Sequence, residues 1–135
     1  MEPNIWGPAG WIFLHSITFN YPENPNYDEK QIYQNFFENL KFVLPCPNCQ
    51  KHYAENIRKH PIRLDTRKEL IEWLIDIHNE VNIINNKKTY SYQEVYQKYN
   101  NLYAPRKEVN YIGYIFLFFI SICIILYYLP SLNEK

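Results

Sequence analysis

The chain has 135 residues, 14 Lys and Arg against 14 Asp and Glu, three cysteines, three glycines and 18% aromatic side chains. Zero net charge excludes the basic footprint of a nucleic-acid binder and any acidic tail. Three glycines are too few for a phosphate cradle or a dinucleotide fingerprint, and three cysteines too few for a disulfide scaffold.

The start, MEPNIWGPAGW, lacks a basic region followed by an apolar stretch, and position 2 is not Gly. Neither a signal peptide nor myristoylation is expected there. Pro8 suits a first helical turn and opens a helix over 8–20, with Trp11, Leu14, His15 and Thr18 on one face. YPENPN (21–26) reads as a loop. Asp28 and Gln31 read as a capping pair for a second helix, striped by Ile32, Phe36, Leu40 and Val43 and ended by Pro45. A third helix starts at Pro47 and runs to about Lys59. Thr66 and Glu69 form a capping box for a fourth, whose stripe is Leu70, Trp73, Leu74, Ile77 and Val81. NIINNKK (82–88) reads as a polar turn. Ser91 and Glu94 form another box, before a short helix with Val95 and Tyr99. No segment alternates with a period of two, so the fold class is all-α, a bundle of about five short helices.

Residues 111–129, YIGYIFLFFISICIILYYL, carry no charge. As a helix they would measure about 29 Å, the thickness of a hydrocarbon layer. Tyr111, Tyr114, Tyr127 and Tyr128 lie near the ends, where amphipathic rings favour the interface. The expected organisation is a domain over 1–104, a juxtamembrane linker over 105–110, a transmembrane helix over 111–129 and a short tail over 130–135. Arg106 and Lys107 precede the span and Lys135 follows it, so the positive-inside rule places the N-terminal domain on the cytosolic side. Cys123, within the span, reads as an apolar side chain.

Chemistry centres on Cys46-Pro47-Asn48-Cys49. Cys46 falls at a helix N-cap and Pro47 at the first helical position, where the helix dipole favours a thiolate. The spacing puts both sulfurs within one turn. Three readings are open: a static staple, a zinc site completed by two of His52, His60 and His78, and a thiol–disulfide exchange pair. A second CxxC and an HxxxH pair are both lacking, and position 50 is Gln rather than the His of a c-type haem motif. The helical flanks do not suit a thioredoxin fold. A redox pair needs an electron sink. Trp11 and His15 on one helix, with His78 and Asn82 on another, offer rings able to sandwich a flavin or adenine. Lys87 and Lys88 could meet phosphate. The same aromatics and histidines would equally serve as core, and the lysines as solvated charges.

The segments WGPAGWIFLHS (6–16), LPCPNCQKHY (44–53) and HNEVN (78–82), followed by Lys87 and YSYQEVYQKY, resemble in order and spacing the Erv/ALR family of FAD-linked sulfhydryl oxidases. The likeness covers about residues 3–103 and is nearest to the short versions of large cytoplasmic DNA viruses. It implies an Erv/ALR-like helical bundle that holds FAD non-covalently, usually as a homodimer. By this resemblance Cys46 is the outer sulfur that exchanges with substrate protein dithiols, directly or through a thioredoxin-like carrier. Cys49 is the flavin-proximal sulfur that passes two electrons to FAD, with O2 as the acceptor that yields H2O2. Gly7, Trp11, His15, His78, Asn79, Val81, Asn82 and Lys87 fall on positions the family uses for FAD, and Tyr99 falls where cellular members place a Trp. Other features depart from the pattern. There is no second, shuttle CxxC. Tyr92 stands at one position of a structural disulfide, Leu44 replaces a Tyr, and Pro8 replaces an Arg after Gly7. Resemblance and topology together imply an oxidase on a viral or host membrane in an infected cell. The alternative from another class is a membrane-anchored zinc-binding or scaffold module without redox turnover.

Overall fold

A computed structural model describes residues 1–105 and 111–132, with side chains described through Ile125. All the regular structure among the described residues is helical: α1 (Pro3–Phe19), α2 (Tyr27–Val43), α3 (Pro47–Lys59), α4 (Arg67–Ile84), α5 (Tyr92–Tyr103) and α6 (Tyr111–Leu132). Contacts divide the chain into two units, Met1–Tyr103 and Ala104–Lys135.

In the first unit α4 is the central helix. α1, α3 and α5 pack against it, and α2 packs along α3. One core cluster joins Leu14, Tyr21, Phe37, Tyr53, Leu70, Trp73, Leu74 and Ile77. A second joins Ile71 and Ile75 to Val95 and Tyr99, with Phe19 and Tyr96 against them. α4 is therefore buried on two faces, and the expected stripe describes only the first. Three buried aromatic tips of the core find partners. Tyr21 Oη donates to the Leu64 carbonyl at 3.0 Å, Tyr53 Oη to Phe37 O at 2.9 Å and Trp73 Nε1 to His60 O at 2.9 Å. At α5, Tyr92 Oη donates to Asp76 at 2.8 Å, and the same carboxylate pairs with Arg63 at 2.8 Å. This polar tie sits where the resemblance puts a structural disulfide.

Several boundaries differ from expectation. α1 begins at Pro3, so Pro8 lies inside the helix instead of opening it. A proline in the first turn costs no helix hydrogen bond, and Pro3 takes that place; Pro8 instead removes one backbone donor from the second turn. α2 is capped by Asn26 with Glu29, not by Asp28 with Gln31: Asn26 Oδ1 accepts from Glu29 N at 2.9 Å, and Glu29 Oε2 accepts from Asn26 N at 2.8 Å. The helix therefore starts two residues earlier. The expected α2 stripe is also displaced. Phe36 and Leu40 of that stripe do pack on the core, beside buried Phe37 with Tyr33 and Leu44, whereas Ile32 and Val43 are 65% and 68% exposed. This helix has two apolar faces, and a periodicity argument cannot say which one turns inward. The other caps are where the sequence puts them: Thr66 accepts from Glu69 N at 3.2 Å, and Ser91 and Glu94 close a full box.

α4 runs three residues into the expected turn, to Ile84, and ends in a Schellman arrangement. Asn86 N donates to Ile83 O at 3.1 Å and Lys87 N to Asn82 O at 2.8 Å. Asn86 takes φ 52°, the left-handed value this motif requires and asparagine tolerates.

In the second unit α6 is a helix with Cys123 exposed and unpaired. Among the described residues no helix is long and apolar enough to cross a membrane. The charge-free run continues over 126–129, beyond the side chains described. Residues 106–110, which hold most of the expected linker with Arg106 and Lys107, and residues 133–135 of the expected tail lie outside the described residues.

Candidate active site

Cys46 and Cys49 are joined by a disulfide, with Cα atoms 5.1 Å apart. Pro45 ends α2 and Pro47 opens α3, leaving Cys46 extended at φ −153° and ψ 118° as the N-cap. Its Sγ accepts a hydrogen bond from Cys49 N at 3.2 Å. The sulfur thus takes the place a serine or aspartate oxygen takes at ordinary caps, against the positive end of the helix dipole. Negative charge that develops on Cys46 when the bond opens meets a backbone N–H already in place. Both cysteines are half-buried.

The second part of the site is a group of rings contributed by α1, α4 and α5. Trp11 and His78 stack with centroids 3.7 Å apart and planes 7° from parallel. His15 Nε2 and His78 Nδ1 are 3.1 Å apart, in hydrogen-bond contact. Tyr99 lies 4.9 Å from His15, stacks on Phe19 at 5.1 Å and donates to Trp11 O at 3.4 Å. Trp11, His15, His78 and Tyr99 therefore form one assembly. Trp11 and His78 lie directly against each other, one ring from α1 and one from α4.

Burial sets the protonation of the pair. His15 is pushed down to about 3, first by desolvation and then by His78 and Lys98. His78 is pushed down to about 4, again first by desolvation, then by Lys98 and Lys87. Both imidazoles are neutral at pH 7, so one donates to the other and His15 Nδ1 faces away. That atom is buried and has no hydrogen-bond partner. Asn82 Nδ2 and Trp6 Nε1 are in the same condition. A buried, unsatisfied polar atom costs about 1–3 kcal/mol. Such atoms at His15 and Asn82, both assigned to FAD by the resemblance, fit a polar ligand, so the residues present suit the group.

The other expected positions are placed differently. Asn79 spends both ends of its amide on Tyr90, donating to its carbonyl at 2.9 Å and accepting from its N–H at 3.0 Å. It clips the loop after α4 onto the helix. Val81 is half-buried on α4, and Lys87 is exposed after the Schellman turn. Gly7 is half-buried on α1, and a Cβ there would meet nothing within 4 Å. Lys98, whose Nζ lies 5.6 Å from the Tyr99 ring centroid and which acts on both histidines, was not singled out from sequence. A lysine in a polar-faced helix gives no signal of its own. Trp6 was noted only within the WGP segment, and its orphaned Nε1 is visible only in three dimensions.

The zinc alternative finds no donor set. Among the described residues no group of three or more His, Cys, Asp or Glu converges to hold a metal. Cys46 and Cys49 are bonded to each other, His60 bonds to Glu80 at 3.0 Å and His78 stacks on Trp11.

Comparison with known proteins places this geometry in context. Residues 8–100 match the Erv1 / Alr family. A probable FAD-linked sulfhydryl oxidase of Acanthamoeba polyphaga mimivirus is 38% identical over 114 residues, covering 82% of this chain and 80% of that protein. An FAD-linked sulfhydryl oxidase of African swine fever virus is 34% identical, covering 78% of this chain and 87% of its own. The crystal structure of the FAD binding domain of Erv1 from Saccharomyces cerevisiae superposes with a TM-score of 0.67 at 28% identity, over 69% of this chain and 89% of that one. A helix-start disulfide, a five-helix domain and a match that spans most of the chain converge: this protein belongs to the Erv1 / Alr family.

Proposed function

We propose that this chain is an FAD-linked sulfhydryl oxidase that forms disulfides in substrate proteins through Cys46 and Cys49. The observation that carries the reading is the Cys46–Cys49 bond at the start of α3, with Cys46 Sγ receiving the Cys49 N–H. A substrate thiolate attacks Cys46 Sγ, the bond to Cys49 breaks, and the electron pair leaves on Cys49 as thiolate. The second substrate thiolate then attacks its own mixed-disulfide sulfur. Cys46 departs as thiolate, stabilised by the N–H and the helix dipole, and the substrate leaves oxidised. Bound FAD would supply the two-electron acceptor chemistry for the reduced pair, with O2 as the terminal acceptor that yields H2O2.

His15, Asn82, Trp11, His78 and Tyr99 would hold the cofactor, with Gly7, Asn79, Val81 and Lys87 around it. The orphaned His15 Nδ1 and Asn82 Nδ2 support this assignment, since a polar ligand would satisfy both. Neutral imidazoles keep the wall uncharged. Substrate thiols, or a thioredoxin-like carrier, are read as exchanging directly with Cys46. Replacing Cys49 by Ser should cut dithiol oxidation, followed as O2 uptake, by more than about a hundredfold while flavin stays bound. Full-rate oxidation by that variant contradicts the assignment.

The protein is also read as a homodimer, anchored by 111–129, with its N-terminal domain on the cytosolic side of a viral or host membrane. Exposed apolar residues on α1 and α2 support the first point and the charge-free run supports the second.

A further inference from the structure

We propose that Gln50 is a positioning residue for the exchange centre: its carboxamide holds the turn that sets Cys46 at the start of α3. This rests on reading Cys46–Cys49 as the redox pair.

The turn between α2 and α3 is short of donors. Pro45 and Pro47 have no N–H, while the last carbonyls of α2 have no partner inside their own helix. Gln50 supplies what is missing. Its Nε2 donates to Leu44 O at 2.8 Å and to Phe42 O at 3.2 Å. The Leu44 carbonyl also accepts from Cys46 N at 2.8 Å, across Pro45. The backbone N–H of Gln50 donates to Cys46 O at 3.0 Å, the first bond of α3. One residue therefore grips Cys46 from both sides: its main chain through the Cys46 carbonyl, its side chain through the carbonyl that fixes the Cys46 N–H. The extended backbone of Cys46 and the aim of its Sγ at Cys49 N follow from that grip. Without the carboxamide the turn keeps only its backbone bonds, the Phe42 and Leu44 carbonyls lose their side-chain donor, and the cap geometry that stabilises a Cys46 thiolate loosens. Gln50 touches neither sulfur in this arrangement. It acts through the backbone.

The test uses the full chain with Gln50→Met, which keeps the side-chain length and removes the donors. Dithiothreitol is the reductant, and the readouts are the titration of the Cys46 thiolate in the reduced protein and the rate of disulfide reduction. The thiolate titration should move to higher pH and the reduction rate should fall roughly fivefold, the scale of a helix-start charge interaction, with flavin content unchanged. If Gln50→Met does not fold, Gln50→Ala, which also frees both carbonyls, is measured in the same way. Native titration and native rate in a folded variant overturn the proposal. If the native chain itself shows no reduction of Cys46–Cys49 by dithiothreitol, it is the redox reading that fails. A native chain that turns over beside an unaltered variant removes only the role of Gln50.

Discussion

Trp11, His15 and His78 show how a single residue's environment reaches the stability of the domain. Both histidines are neutral in the fold and titrate near 6.5 when unfolded. Their folded values, about 3 and about 4, lie below that. Between the two limits the unfolded chain binds more protons, so stability rises with pH there. The contribution is complete above about 6.5 and is lost as pH falls toward 4. The melting temperature should therefore drop on acidification through this window, and His78→Gln should flatten the slope. An equal slope in native and variant proteins would contradict it. The sequence singled out these rings, because Trp11 and His15 are one helical turn apart on α1. It could not tell that Trp11 and His78 stack directly on each other, since the angle between α1 and α4 decides that.

At the scale of elements, the capping chemistry of Thr66, Ser91 and Cys46 was legible, because each cap is a local pairing over three residues. The start of α2 was not: two overlapping pairs compete at 26–31, and Asn26 with Glu29 wins by satisfying two backbone donors at once. Which face turns inward was legible only where a helix has one apolar face. α4 has two, so Ile71 and Ile75 escaped notice. On α2 the outward face carries Ile32 and Val43, and on α1 it carries Ile5, Ile12 and Phe13. Large apolar side chains left open together on two helices of a domain of this size suggest a contact surface. We assign them to the homodimer. Replacing Ile32 by Asp should shift the sedimenting species from dimer to monomer at micromolar concentration without unfolding the domain. A dimer that persists in this variant and in Phe13→Asp removes both helices from the interface.

The whole molecule consists of two units with different chemistry. The first has a core, paired buried aromatics and a disulfide at the start of α3. The second contains the apolar run whose helical period says nothing about one face, since it is apolar all round. A chain held by that run should stay with membranes through alkaline carbonate washing and yield to detergent. Release by carbonate alone would contradict the anchor, and protection of the first unit from added protease in intact membranes would contradict its cytosolic side.

We read the ring assembly of α1, α4 and α5 as holding a flavin that drains electrons from Cys46 and Cys49. The most direct test is the visible absorption spectrum of the purified full chain after desalting, followed by anaerobic addition of dithiothreitol. A retained flavin band that bleaches with the dithiol in the native protein, and stays unbleached in Cys49→Ser, is the predicted result. A folded, colourless protein that takes up no added FAD would contradict the account.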